Sequence, residues 1–98
     1  MKPAAANWDA IVIAADDNVA VALRDLQGTA RLRIGDEVRN IALKTSIPLG
    51  HKFAIRDLAQ GVSLLKYGEC IGRATQPIAT GEHVHVHNLQ SLRARGKG

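Results

Sequence analysis

Residues 16–28 read DDNVAVALRDLQG, and the fold class turns on whether this stretch is helix or strand. Asp16, Asp17 and Asn18 are good N-cap residues. Val19, Ala22, Leu23 and Leu26 fall at i, i+3, i+4 and i+7, which marks one face of a helix. Gly28 is placed as a C-terminal stop. Against this, VAVAL alternates and reads equally as strand. The stop signals at both ends favour a helix over Asn18–Gln27.

Outward from that stretch the pattern changes to short extended segments. On the N-terminal side AIVIA (Ala10–Ala14) is a short apolar run with β-branched residues, a buried strand by type. Residues 1–8, with Pro3 and three alanines, read as a loose arm. On the C-terminal side Ala30, Leu32 and Ile34 alternate with Arg31 and Arg33, and Gly35-Asp36 signals a turn into Val38, Ile41 and Leu43. That is a hairpin. Pro48 and Gly50 break the chain, and HKFAI (His51–Ile55) is extended. Asp57–Ala59 reads as a helical turn, Val62–Leu65 and Cys70–Gly72 as strands around a Tyr67-Gly68 turn, and His83–Asn88 as the last strand. The expected fold class is mainly β with one or two short helices. Glycine turns recur at Gly28, Gly35, Gly61 and Gly81, but their flanks do not match, so no internal repeat is expected.

With 98 residues there is room for one small domain. Hydrophobic residues make up 46% and aromatics 3%, so the core must be built of Ala, Val, Ile and Leu. The net charge of +4 first suggests nucleic acid, but Arg93, Arg95 and Lys97 supply three of those charges from an acid-free tail. No basic stripe interleaves with aromatics, which argues against nucleic acid. Cys70 is the one cysteine, so there is no internal disulfide. No segment has the length of a membrane span or a signal core, and a cytoplasmic protein is expected.

The chemistry concentrates in GEHVHVHN (81–88). On a strand His83, His85 and His87 would form one row, with Val84 and Val86 turned to the core. Neighbours in such a row lie about 7 Å apart and the outer pair about 13 Å. Two of the three could therefore share a metal, with a third ligand from His51 or from Asp16, Asp17 or Glu82. A row of this kind is also at home on the wet face of an ordinary sheet. GHK (50–52) sets His51 and Lys52 after a glycine, both capable of acid–base work or of holding an anion. KYG (66–68) offers Lys66 and Tyr67. Asp17 reads as a helix cap and Cys70 as a small core hydrophobe.

Taken in order, DNVAVALRDL (17–26), GHKFAIRDLAQG (50–61), KYGECIGRAT (66–75) and GEHVHVHNL (81–89) resemble the SAF domain of the altronate and galactarate dehydratase family. The same stretches are similar to the small subunit of (2R)-sulfolactate sulfo-lyase. The resemblance spans roughly Asp9 to Leu89 and implies a SAF-type β-clip fold over residues 9–90, with 91–98 a basic tail. It implies a hydro-lyase that eliminates water from a sugar acid to give a 2-keto-3-deoxy acid, or sulfite in the sulfo-lyase variant. The module would act with a much larger catalytic subunit or domain and show little activity alone. A non-catalytic module binding acidic sugars is the alternative from another class, and self-association stays open.

A divalent metal, Fe(II) or Mn(II), is implied, with the V-H-x-H-N motif falling on Val84, His85, His87 and Asn88 and giving His85 and His87 as metal ligands. His51 and Lys52 are the implied catalytic residues. Lys66, Tyr67, Asn88 and Asp17 are the implied substrate-binding residues. His83 falls at a less fixed place in the motif. Where the family carries a histidine before DNVA, this chain has Ala14.

Overall fold

The computed structural model describes residues 8–91, and they form nine short strands. The strands are β1 Ala10–Ile11, β2 Val19–Ala22, β3 Thr29–Ile34, β4 Glu37–Ala42, β5 Lys52–Ala54, β6 Ser63–Lys66, β7 Glu69–Ala74, β8 His83–Val84 and β9 Leu89–Ser91. A four-stranded antiparallel sheet runs β1-β2-β5-β8. Strands β3 and β4 form a separate hairpin, and β6-β7-β9 make a third small sheet. The expected loose arm and basic tail lie outside the described residues except for their innermost members. Of these, Trp8 accepts a hydrogen bond from Arg24 at its carbonyl and lies under the Arg31 guanidinium.

The expected helix over Asn18–Gln27 is not formed, and among the described residues there is no helix. VAVA is instead the central strand β2, paired with β1 on one side and β5 on the other. Its two faces enter two different cores. Ala20 and Ala22 join Phe53, Leu32, Ile41 and Ile47, while Val19 joins Ala54, Leu64, Ile78 and Val84. A strand buried on both faces needs an apolar residue at every position, and such a run contains helical spacings by accident. Two observations separate the readings. Ala20, off the helical stripe, is 0% exposed, whereas Leu23, on the stripe, is 46% exposed. Asp17 and Asn18 cap no helix. Asn18 accepts from the Leu65 N–H and donates to the Ser63 carbonyl, tying β2 to β6.

The molecule is also built twice, contrary to the expectation of no repeat. VALRDL (21–26) and FAIRDL (53–58) leave the central sheet in the same way. Leu26 bridges Ile47 and Leu58 bridges Ile78. Asp25 accepts from the Leu49 N–H at 2.8 Å, and Asp57 from the Thr80 N–H at 2.9 Å. The Gly50 and Gly81 N–H groups return to the Ala22 and Ala54 carbonyls. The expected helical turn at Asp57–Ala59 is therefore the waist of the second half. Between waist and return each half inserts a hairpin, β3–β4 or β6–β7, which lies over its own core. Gly81 fastens one half to the other. Its φ is +86°, its carbonyl accepts from the Lys44 N–H, and a Cβ there would strike the Ala42 carbonyl.

The last expected strand, His83–Asn88, is cut short. Only His83 and Val84 pair, with Phe53 and Lys52. The chain then turns over residues 85–88 and resumes as β9 against β7. Val86 is 82% exposed at the tip of that turn, not in the core. Among the described residues no helix is long and apolar enough to cross a membrane.

Candidate functional site

The turn after β8 changes which histidines meet. His51, at the entry to β5, and His83, on the neighbouring β8, face each other with Nδ1 and Nε2 2.9 Å apart. His85 folds back over both, its ring stacked on His51 at 4.6 Å and on His83 at 5.3 Å. One ring nitrogen from each of the three lies within 4.8 Å of the others. His87 is outside this group and leans on His83 at 5.7 Å. The expected pair of His85 with His87 is thus replaced by a cluster of His51, His83 and His85. A straight strand would have kept His83 and His85 apart; the turn brings them together.

Burial first, and then the charges of His51, His85, His87 and Lys52, hold the His83 imidazole below its ordinary pKa. His85 is lowered for the same reasons, burial again first. Both therefore favour the neutral form, the form that ligates a metal. Three imidazoles with open positions suit a divalent first-row ion. Metal–nitrogen bonds of about 2.1 Å place ligand nitrogens roughly 3 to 3.5 Å apart, so the cluster fits such an ion with small side-chain adjustments.

The loop is held from below by Asn88, which is 0% exposed. Its Oδ1 accepts from the His85 N–H at 2.9 Å and its Nδ2 donates to the His83 carbonyl at 2.8 Å. Asn88 is therefore not placed to touch substrate, as its motif had implied, but positions two histidines. Asp17 is corrected in the same way. It is 1% exposed, and its carboxylate accepts from the N–H groups of Ile13, Ala14, Tyr67 and Gly68. Burial alone would raise its pKa, but these four donors together bring it below the ordinary value. It locks the 13–17 turn, including Ala14, to the turn of the β6–β7 hairpin, where Tyr67 has a φ of +56°. Glu82 is likewise spent on the Ala79 N–H. None of the acids considered as a third ligand joins the cluster.

Beside the histidines runs an open groove lined by Lys52, Lys66, Glu69, Cys70, Ile71 and His85. Lys52 and Lys66 are half-buried, and the Lys66 ammonium lies 5.0 Å over the Tyr67 ring. Burial first, then the Lys66 charge, lowers the Lys52 pKa. Cys70 is exposed in this groove rather than packed in the core, its thiol against the Gly72 carbonyl. The positioning role of Asn88 was hidden in the sequence. The signal for it was the asparagine directly after His85-x-His87, which ends a strand more readily than it continues one.

Comparison with known proteins agrees with this architecture. The family described as altronate/galactarate dehydratase SAF domain matches residues 8–92. The chain is 41% identical over 90 residues to a (2R)-sulfolactate sulfo-lyase subunit alpha of Chromohalobacter salexigens, covering 87% of this chain and 96% of that one. It is 43% identical over 81 residues to the altronate dehydratase of Escherichia coli, covering 83% of this chain but 16% of that enzyme. Galactarate dehydratase (L-threo-forming) of the same organism is 35% identical over 68 residues, 12% of its length. In the relatives the module is thus either a separate subunit of a lyase or a small part of a longer one.

Proposed function

The chain belongs to the altronate/galactarate dehydratase SAF domain family, and from that premise we propose that it forms the histidine-bearing wall of a sugar-acid hydro-lyase active site completed by a larger catalytic chain. The observation that carries this reading is the convergence of His51, His83 and His85 on one point at the surface. In a water elimination next to a carboxylate, the proton to be removed is weakly acidic because its neighbour is already an anion. Charge accumulates on the carboxylate as that proton leaves, and it needs a cationic partner. His51, His83 and His85 would hold Fe(II) or Mn(II), which supplies Lewis acidity toward the substrate carboxylate and hydroxyl when bound. Asn88 fixes the loop on which two of these ligands ride. Lys52 and Lys66 draw the anionic substrate into the groove. Asp17 and Glu82 are consumed by backbone N–H groups and do not serve as the base.

Reconstitution tests this. The full chain is mixed with the larger dehydratase-type chain and Mn(II) or Fe(II), and water elimination from altronate and galactarate is followed. Activity that requires both chains, is lost in His83→Ala and is kept in His87→Ala supports the reading. Full turnover by the larger chain alone contradicts it and leaves this domain as an acidic-sugar binding module. Sulfite elimination is the second reading, favoured by the match across 96% of a sulfo-lyase subunit; release of sulfite from sulfolactate in the same mixture would select it.

A further inference from the structure

The histidine cluster leaves open which part of the substrate the two cations of the groove hold. Lys52 on β5 and Lys66 at the end of β6 line the same groove as His85. Both are half-buried. Among the described residues the ion pairs are Arg24–Asp9 and Arg33–Asp36, and neither groove lysine belongs to one. Glu69 stands opposite Lys66 in the hairpin register and lines the groove too, yet it makes no ion pair with either lysine. Two partly desolvated like charges repel each other, and a shared anion relieves that repulsion. Lys66 is steadied on the Tyr67 ring rather than by a carboxylate, so its ammonium keeps donors for a ligand.

We propose that the Lys52–Lys66 pair seats a second anionic group of the substrate, so that this chain is built for a dianionic acid rather than a monoanionic one. The inference rests on the reading of the histidine cluster as the seat of the first carboxylate. Lysines act as point charges without the planar fork that selects carboxylate. The pair therefore selects the second group by its charge rather than its shape, and carboxylate and sulfonate are the two forms to test.

Calorimetric titration of the full chain, loaded with Mn(II), tests this with matched probes. Glucarate against gluconate isolates a second carboxylate, and sulfoacetate against acetate isolates a sulfonate. The dianion of at least one pair should bind about tenfold tighter or more, the low end of what one charge-assisted hydrogen bond supplies. Lys52→Gln/Lys66→Gln should erase that margin. Lys66→Gln alone should halve the margin on a logarithmic scale and keeps the test available if the double variant does not fold. Equal binding of dianion and monoanion, no binding of either dianion, or a margin that survives the lysine substitutions overturns the proposal. Repeating the titration in EDTA separates the two ideas. A lysine-dependent dianion preference that persists in EDTA, in a chain that the same titration shows to bind no Mn(II), keeps the cation seat and removes the metal reading, whereas loss of all preference with Mn(II) still bound does the reverse.

Discussion

Replacing Asn88 by alanine should damage stability and metal binding together. The side chain is fully buried and makes two hydrogen bonds, from the His85 N–H at 2.9 Å and to the His83 carbonyl at 2.8 Å. Asn88→Ala removes both partners and leaves a small cavity. An unsatisfied buried polar group costs about 1 to 3 kcal/mol. The His85 N–H lies at the base of an exposed turn where water can partly replace the lost acceptor, so the combined cost should be about 2 to 4 kcal/mol. The loop that carries His83 and His85 would then sample other conformations, and Mn(II) affinity should fall roughly 10- to 100-fold, as for other residues that orient ligands. Urea denaturation without metal reads the first effect and Mn(II) electron paramagnetic resonance the second. Asn88→Asp is the sharper control. It keeps an acceptor for His85 but sets a carboxylate against the His83 carbonyl, and it should not rescue metal binding. A variant that loses less than about 0.5 kcal/mol, within the range of ordinary surface changes, or that binds Mn(II) like wild type, would refute the positioning role.

Three further outcomes follow from the same structure. Asp17→Asn should cost about 2 kcal/mol in urea denaturation, because an amide nitrogen would face one of four N–H donors that a carboxylate now accepts. The lowered Asp17 pKa stabilises the fold above the ordinary value of 3.8 and that stabilisation is lost as pH falls through the native value; the acid limb of the stability profile should therefore flatten in Asp17→Asn. Gly81→Ala should cost about 2 kcal/mol or more, from a φ of +86° together with the clash against the Ala42 carbonyl, and its melting temperature should drop accordingly. His83 and His85, both lowered from 6.5, favour the folded, neutral state above that value, and the advantage disappears as pH falls through their native pKa values. Mn(II) affinity measured by fluorescence competition should fall over the same acid window, whereas a flat profile would exclude imidazole ligands.

Much of the fold could be read from pattern alone. The alternation of Ala30, Leu32 and Ile34 with arginines, closed by Gly35-Asp36, is the β3–β4 hairpin as found. The Tyr67-Gly68 turn likewise stands where its glycine put it. The helix at Asn18–Gln27 failed because periodicity cannot distinguish an amphipathic helix from a strand buried on both faces when the run is this short. The internal repeat stayed hidden because its identities, Arg24-Asp25-Leu26 and Arg56-Asp57-Leu58, are separated by hairpins with unrelated side chains. What repeats is a set of backbone hydrogen bonds at Asp25 and Asp57. At the site, His51, His83 and His85 were each visible as candidate ligands, but which of the histidines meet was not. Their meeting depends on the 85–88 turn, and that turn depends on a buried asparagine whose bonds are local. The roles of Asp17 and Asn88 were misjudged for one reason: a polar residue in a motif suggests a ligand, yet a fully buried one usually satisfies backbone groups.

The most direct test of the account is a Mn(II) electron paramagnetic resonance titration of the full chain beside its four single His→Ala variants. The account predicts one site in wild type, lost or weakened at least tenfold on replacing His51, His83 or His85, and unchanged on replacing His87, which stands outside the cluster. A wild-type chain that binds no Mn(II) or Fe(II), or a site that depends on His87 and survives His83→Ala, would contradict it.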